Sequence, residues 1–213
     1  MIRTGLLGGS FNPAHRGHRR ISAGAMRALG LDELWWLVSP GNPLKDPAEM
    51  APLARRFASA RRMALGLPIR VTVIERELGS PYTADTLEAL VRRFPNRRFI
   101  WLMGEDNLVQ FHLWRDWRRI AQTLPIAVVS RPGYDASARA ARAMGWLRRS
   151  VRPAAGARDW TDWRPPALVF LRLPLDPTSA TGLRAVSPRW HESSQSSFNL
   201  KALRDGVTRK AIG

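Results

Sequence analysis

Gly5-Leu6-Leu7-Gly8-Gly9-Ser10-Phe11-Asn12-Pro13-Ala14-His15-Arg16-Gly17-His18 is the stretch whose reading decides the fold. Its apolar opening reads as a strand and its glycines as a turn. His18 to Leu29 reads as a helix, with Ile21, Ala25 and Leu29 on one face and Gly30 as the stop. Glycines directly after a strand let the main chain approach a phosphate closely, and the first amides of the next helix point at the anion. The turn is neither the dinucleotide pattern G-x-G-x-x-G nor a P-loop ending in Gly-Lys-Ser/Thr. Its distinguishing feature is the pair His15 and His18 at the mouth of the helix, where each can donate to nonbridging phosphate oxygens. A zinc site would need a third ligand nearby, and the chain has no cysteine.

Working outward, strand and helix patterns alternate. Glu33 to Val38, Ile69 to Ile74, Arg98 to Met103 and Pro125 to Ser130 read as strands. Pro52 to Leu65 and Thr83 to Phe94 read as helices. Repeated strand–helix units predict an α/β fold with a doubly wound parallel sheet of at least five strands. Asp135 to Arg149 is a further candidate helix. Ser150 to Pro166 is a Pro/Gly/Arg-rich excursion anchored by Trp160 and Trp163, and Ala167 to Leu173 a last short strand. The expected organisation is one domain over 1–190 followed by a weakly ordered tail over 191–213, where Ser193-Ser194-Gln195-Ser196-Ser197 and a basic end lower the tendency to pack.

Composition bounds the function. At 213 residues and 45% apolar content one full core is expected. The absence of cysteine excludes thiolate chemistry and suits a cytoplasmic location, with neither a signal peptide nor a membrane span in view. The net charge of +17 favours anionic substrates. Only Lys45, Lys201 and Lys210 of the 34 basic residues are lysine, so the arginine excess reads as compositional bias and nucleic acid is not the expected partner. The competing reading, an RNA-binding protein on this same α/β fold, would use the eight arginines between Ser137 and Arg172 with Trp146, Trp160 and Trp163 as stacking platforms.

The first motif resembles the signature of the nucleotidyltransferase superfamily, in which a His-x-x-His or Thr-x-x-His pair follows the first strand. It departs from the usual aspartate at Asn12. Ser179-Ala180-Thr181-Gly182-Leu183-Arg184 resembles the second superfamily element, Ser-Ser-Thr-x-x-Arg, departing at Ala180. The resemblance, which runs from Ile2 to about Ala185, implies a Rossmann-like sheet. It implies ATP contacts at Gly8, Gly9, Ser10, Phe11, His15, His18, Gly104, Asp106, Ser179, Thr181 and Arg184, with Mg2+ accompanying ATP and no protein-built metal site.

Three further segments resemble bacterial nicotinate-nucleotide adenylyltransferases: Val38 to Lys45, Ser80 to Leu87, and Met103 to Leu108 with Phe111 to Trp117. They imply nicotinate mononucleotide as acceptor, held by Asn42, Lys45, Thr83, Trp114 and Arg115. Trp114 would face the pyridine ring, and the main-chain amides of Trp114 and Arg115 would receive its carboxylate. Thr83 doubles as a helix N-cap in this reading, and Trp117 is core packing. His18, His15, Lys45 and Arg184 are the catalytic candidates, acting as charge stabilisers because a phosphate monoester needs no base to become a nucleophile. Another adenylyl- or cytidylyltransferase, such as one using pantetheine phosphate, is the alternative within the class, and a homo-oligomer is compatible with the sequence.

Overall fold

The computed structural model describes residues 1–41, 50–174, 176–192 and 202–212. Among them the sheet has seven strands in the order β3-β2-β1-β4-β5-β7-β6. The strands are β1 (Ile2–Gly9), β2 (Glu33–Val38), β3 (Ile69–Thr72), β4 (Arg97–Gly104), β5 (Ile126–Val129), β6 (Val151–Arg152) and β7 (Leu168–Leu171). Every pairing is parallel. The chain moves outward from β1 to β3 and then returns to β4 on the other side of β1. The strand order therefore reverses between β1 and β4, the place where such sheets open a crevice at their carboxyl ends.

The helices follow from the same patterning. Helix α1 (Arg16–Leu29) buries Ile21, Ser22, Ala25, Met26 and Leu29, and ends where the Gly30 amide, at φ 59°, returns to the Met26 carbonyl. It covers one face with α2 (Leu53–Ala64). The other face is covered by α4 (Thr83–Arg93), α5 (Glu105–Gln110) and α6 (Trp117–Thr123), preceded by the single turn α3 (Glu75–Leu78). All six residues of β2 are buried, as expected of a parallel strand covered on both faces. Its two tryptophans keep their indole N–H groups paired: Trp36 donates to Ser22 Oγ at 2.9 Å and Trp35 to Glu33 Oε1 at 2.7 Å.

Three expectations need correction. Asp135 to Arg149 is not one helix but α7 (Asp135–Arg139), α8 (Met144–Leu147) and a 3₁₀ turn. Ala138, Ala141, Ala143, Met144 and Leu147 are its buried positions, and the short turns between them bring each one onto the core. Ile69 to Ile74 ends as a strand at Thr72, and Ile74 caps α3. Within the expected weak tail, residues 202–212 instead pack on the edge strand. Leu203 and Ile212 join the core, Gly206 N–H donates to the Val71 carbonyl at 2.8 Å, and Asp205 is 2% exposed.

The aromatic residues of the arginine-rich excursion face inward. Trp160 is buried and donates to the Leu29 carbonyl at 3.0 Å, and Trp146 packs edge-on to Trp117. They anchor the segment to the core and offer no stacking platform to a nucleic acid.

Candidate functional site

The spacing of the two histidines is the spacing of a helix cap. His15 is the N-cap of α1 and His18 its third residue, so the His15 N–H donates to His18 Nδ1 at 3.2 Å, the backward half of a capping box. A nitrogen that accepts a hydrogen bond carries no proton, so neutral His18 holds its proton on Nε2 and donates from there. The two rings lie 3.8 Å apart, and the His18 ring also packs on Phe11. Gly17 between them is required by space: a Cβ there would come within 2.9 Å of His15 Nδ1 and 3.2 Å of the Thr178 carbonyl.

His15 is 4% exposed. Burial, joined by the Arg131 guanidinium, pushes its imidazole down to about 4 against a smaller upward pull from Asp176. It is therefore neutral near pH 7 and can offer one N–H, not a cation. Phe11 turns the chain at φ 47°, a left-handed conformation rare for a bulky residue, and is held there by stacking on Trp36 at 4.9 Å.

The second motif closes on the first. Ser179 caps α9 (Ala180–Val186), its Oγ accepting from Gly182 N–H at 3.0 Å. One turn on, Arg184 Nη1 donates to the main-chain carbonyl of Asn12 at 2.8 Å and Nη2 reaches Thr181 Oγ1 at 3.5 Å. Asn12 is buried, and its side-chain Oδ1 accepts from the Ala51 N–H at 3.3 Å. The departure from aspartate thus leaves a neutral amide tying the turn to the residues that lead into α2.

Gly104 ends β4 beside β1, and a Cβ there would lie 2.1 Å from Asp106 Oδ1, so the position admits only glycine without a shift. Asp106 pairs with Arg131 at 3.5 Å, and the Arg131 N–H donates to Glu105 Oε2 at 2.8 Å.

The two acceptor-side segments also meet. The Arg115 guanidinium lies over the Tyr82 ring at 4.2 Å, and Arg119 of α6 pairs with Asp85 of α4. Trp114 packs edge-on to Trp101 at 6.5 Å, while the Trp101 ring fills the space where a Cβ of Gly8 would stand. Trp101 therefore links the glycine-rich turn to the aromatic wall.

Two expectations fail in detail. Thr83 is the first helical residue, with Tyr82 as N-cap, and the hydroxyl at work is that of Ser80, which donates to Asp85 at 2.6 Å and accepts from Tyr82 N–H. The Trp114 amide, expected to receive a carboxylate, instead donates to the Phe111 carbonyl at 3.0 Å, closing a 3₁₀ turn. Asn42 and Lys45 lie outside the described residues.

Three residues escaped sequence reading. Arg131, just past β5, pairs with Asp106 and adds its positive charge near His15. Asp176 accepts from Arg16 and Arg20 of α1, each at 3.2 Å, and from Thr178 N–H at 2.9 Å, so its carboxyl is held far below the usual range, first of all by Thr178. Arg56 binds carbonyls of the first turn and of the loops around it. A cleft of about 420 Å³ against edge strand β3, lined by Arg61, Arg70, Arg204 and Arg209 among others, contains none of the motif residues.

Comparison with known proteins agrees with this geometry. A cytidylyltransferase-like family model matches residues 6–186. A probable nicotinate-nucleotide adenylyltransferase of Erythrobacter litoralis is 55% identical over 211 residues, spanning 99% of this chain and 94% of that protein. One of Parvibaculum lavamentivorans is 52% identical over 183 residues, spanning 86% and 91%. Among solved structures, Plasmodium falciparum nicotinic acid mononucleotide adenylyltransferase complexed with NaAD superposes with a TM-score of 0.62 at 14% identity, over 87% of this chain and 83% of that one. That likeness speaks for the fold alone.

Proposed function

The chain belongs to the nicotinate-nucleotide adenylyltransferase family, and on that premise we propose that it transfers AMP from ATP to nicotinate mononucleotide, releasing pyrophosphate and nicotinate adenine dinucleotide. The observation that carries this reading is the convergence of the two phosphate-binding motifs, joined by Arg184 and Asn12 at the crevice between β1 and β4.

The acceptor 5′-phosphate oxygen attacks the α-phosphorus in line, the bond from the α-phosphorus to the α,β-bridging oxygen breaks, and pyrophosphate leaves with the electron pair. Main-chain amides of Gly8 to Phe11 and the head of α9 hold phosphate oxygens, with Ser179 and Thr181 beside them. His18 donates from Nε2 to the α-phosphoryl oxygens, where negative charge gathers, and neutral His15 assists. Arg184, with Lys45, balances the charge of the departing pyrophosphate. Gly104 and Asp106 take the adenosine side. Thr83, Trp114, Arg115 and Asn42 take the acceptor, and a pocket rich in donors favours its carboxylate over an amide.

Mg2+ accompanies ATP in this reading. Among the described residues no group of three metal-ligating side chains comes together, and Glu105 and Asp106 are engaged with Arg131. The metal would therefore be held mainly by phosphate oxygens, as that ion commonly is, and no step is assigned to it. No helix among the described residues is long and apolar enough to cross a membrane, in keeping with a cytoplasmic role.

The test is pyrophosphate release with ATP and, separately, nicotinate mononucleotide, nicotinamide mononucleotide and phosphopantetheine. Turnover fastest with phosphopantetheine would overturn the acceptor. Undiminished turnover by His18→Ala would overturn the mechanism.

A further inference from the structure

Arg56, in the first turn of α2, is 1% exposed. Its Nη1 donates to the carbonyls of Ser10 at 2.9 Å and Ser39 at 2.7 Å, its Nη2 to Pro40 at 3.2 Å, and its Nε to Ala51 at 2.9 Å. These four acceptors come from three separate pieces of chain: the glycine-rich turn, the segment just after β2 and the lead into α2. All four are neutral main-chain oxygens, so none of them cancels the charge. Burial pushes the guanidinium down from its usual pKa, yet an arginine stays protonated in a protein. Burying a cation is costly, and an apolar side chain would fill this space more cheaply. What a guanidinium adds is a rigid planar fork able to bind several carbonyls at fixed angles, which a lysine ammonium on a flexible stem does not reproduce.

We propose that Arg56 is a positioning residue for ATP: through Ser10 it fixes the glycine-rich turn against the ends of β2 and α2, and so aligns the main-chain amides that bind phosphate, without touching substrate. The proposal rests on the reading of Gly8 to Phe11 as the phosphate cradle. Because a misaligned cradle weakens ATP in the ground state and the transition state together, its loss raises KM for ATP more than it lowers kcat. His18 stands on α1 and keeps its own cap, so the chemical step at saturating ATP suffers less.

The experiment compares Arg56→Lys, Arg56→Gln and Arg56→Ala with wild type, each first checked for a folded state by circular dichroism. ATP affinity is measured by calorimetry without acceptor, and steady-state constants are measured for both substrates. The folded variants, the charge-conserving lysine included, are expected to bind ATP at least ten-fold more weakly than wild type in the absence of acceptor. Millimolar guanidinium should restore part of the ATP affinity to Arg56→Ala but not alter Arg56→Lys.

ATP affinity unchanged in Arg56→Lys, or a loss confined to kcat, would overturn the proposal. So would failure of guanidinium to restore ATP binding to a folded Arg56→Ala. If alanine and glutamine fail to fold, the lysine variant alone decides. Calorimetry without acceptor separates this outcome from a misread acceptor, which would show instead as wild-type ATP binding without turnover on nicotinate mononucleotide.

Discussion

Arg184 Nη1 donates to the Asn12 carbonyl at 2.8 Å across 172 residues of chain, so the last helix of the transferase core is bonded directly to the first turn. Removing the guanidinium breaks this bond and takes away a cation from the proposed pyrophosphate side. Arg184→Ala is expected to lower kcat by about 10²-fold, on the order of 3 kcal/mol of transition-state stabilisation. The side chain is only half-buried, so the stability loss should stay near 1 kcal/mol. Initial rates beside denaturant unfolding separate the two. A rate loss no larger than the stability loss would remove Arg184 from the chemistry.

His18 offers a sharper test, because its tautomer follows from its cap. With Nδ1 accepting from the His15 N–H, the useful proton is on Nε2. A glutamine amide nitrogen reaches roughly where Nε2 stands, whereas that of asparagine reaches only where Nδ1 stands. His18→Gln should therefore retain at least ten-fold more turnover than His18→Asn, with both well below wild type. The reverse order would place the working proton on Nδ1.

Much of this was legible in the sequence because it repeats. The spacing of Ile21, Ala25 and Leu29, and the continuous apolar run of Leu34 to Val38, give α1 and β2 almost to the residue. His15 and His18 stood out because few residue types can do their work at that spacing. Arg56, Arg131 and Asp176 did not, since one arginine among so many carries no signal, and their partners are carbonyls and charges distant in the chain. The packing of residues 202–212 was hidden for a similar reason: it hangs on one buried carboxylate, not on an apolar period.

His15 gives a pH dependence with a defined sign. Its folded value of about 4 lies below the ordinary 6.5, so the unfolded chain binds a proton more readily than the folded one between those limits. The associated stability is complete above pH 6.5 and is lost as pH falls toward 4, by on the order of 2–3 kcal/mol. Urea unfolding of wild type and His15→Gln from pH 7.5 to 4.5 should show the difference between them shrinking as pH falls. A difference independent of pH would mean that His15 titrates normally in the folded protein.

Asp205 fixes the C-terminal segment through both oxygens. Oδ2 accepts from Thr72 Oγ1 at 2.9 Å and Val73 N–H at 2.7 Å, and Oδ1 accepts from Val207 N–H at 2.8 Å and Thr208 N–H at 2.9 Å. Four donors converge on a carboxylate that is 2% exposed. Alanine would leave buried donors unpaired, at a cost of about 3 kcal/mol. Asparagine, although nearly the same shape, should do little better. Whichever way its amide is turned, an NH2 group that cannot accept faces main-chain N–H donors, that of Val73 on one side or those of Val207 and Thr208 on the other. Thermal unfolding should therefore place Asp205→Asn close to Asp205→Ala and well below wild type. If asparagine matched wild type, the carboxylate would be dispensable and the segment would be held by Leu203 and Ile212 alone.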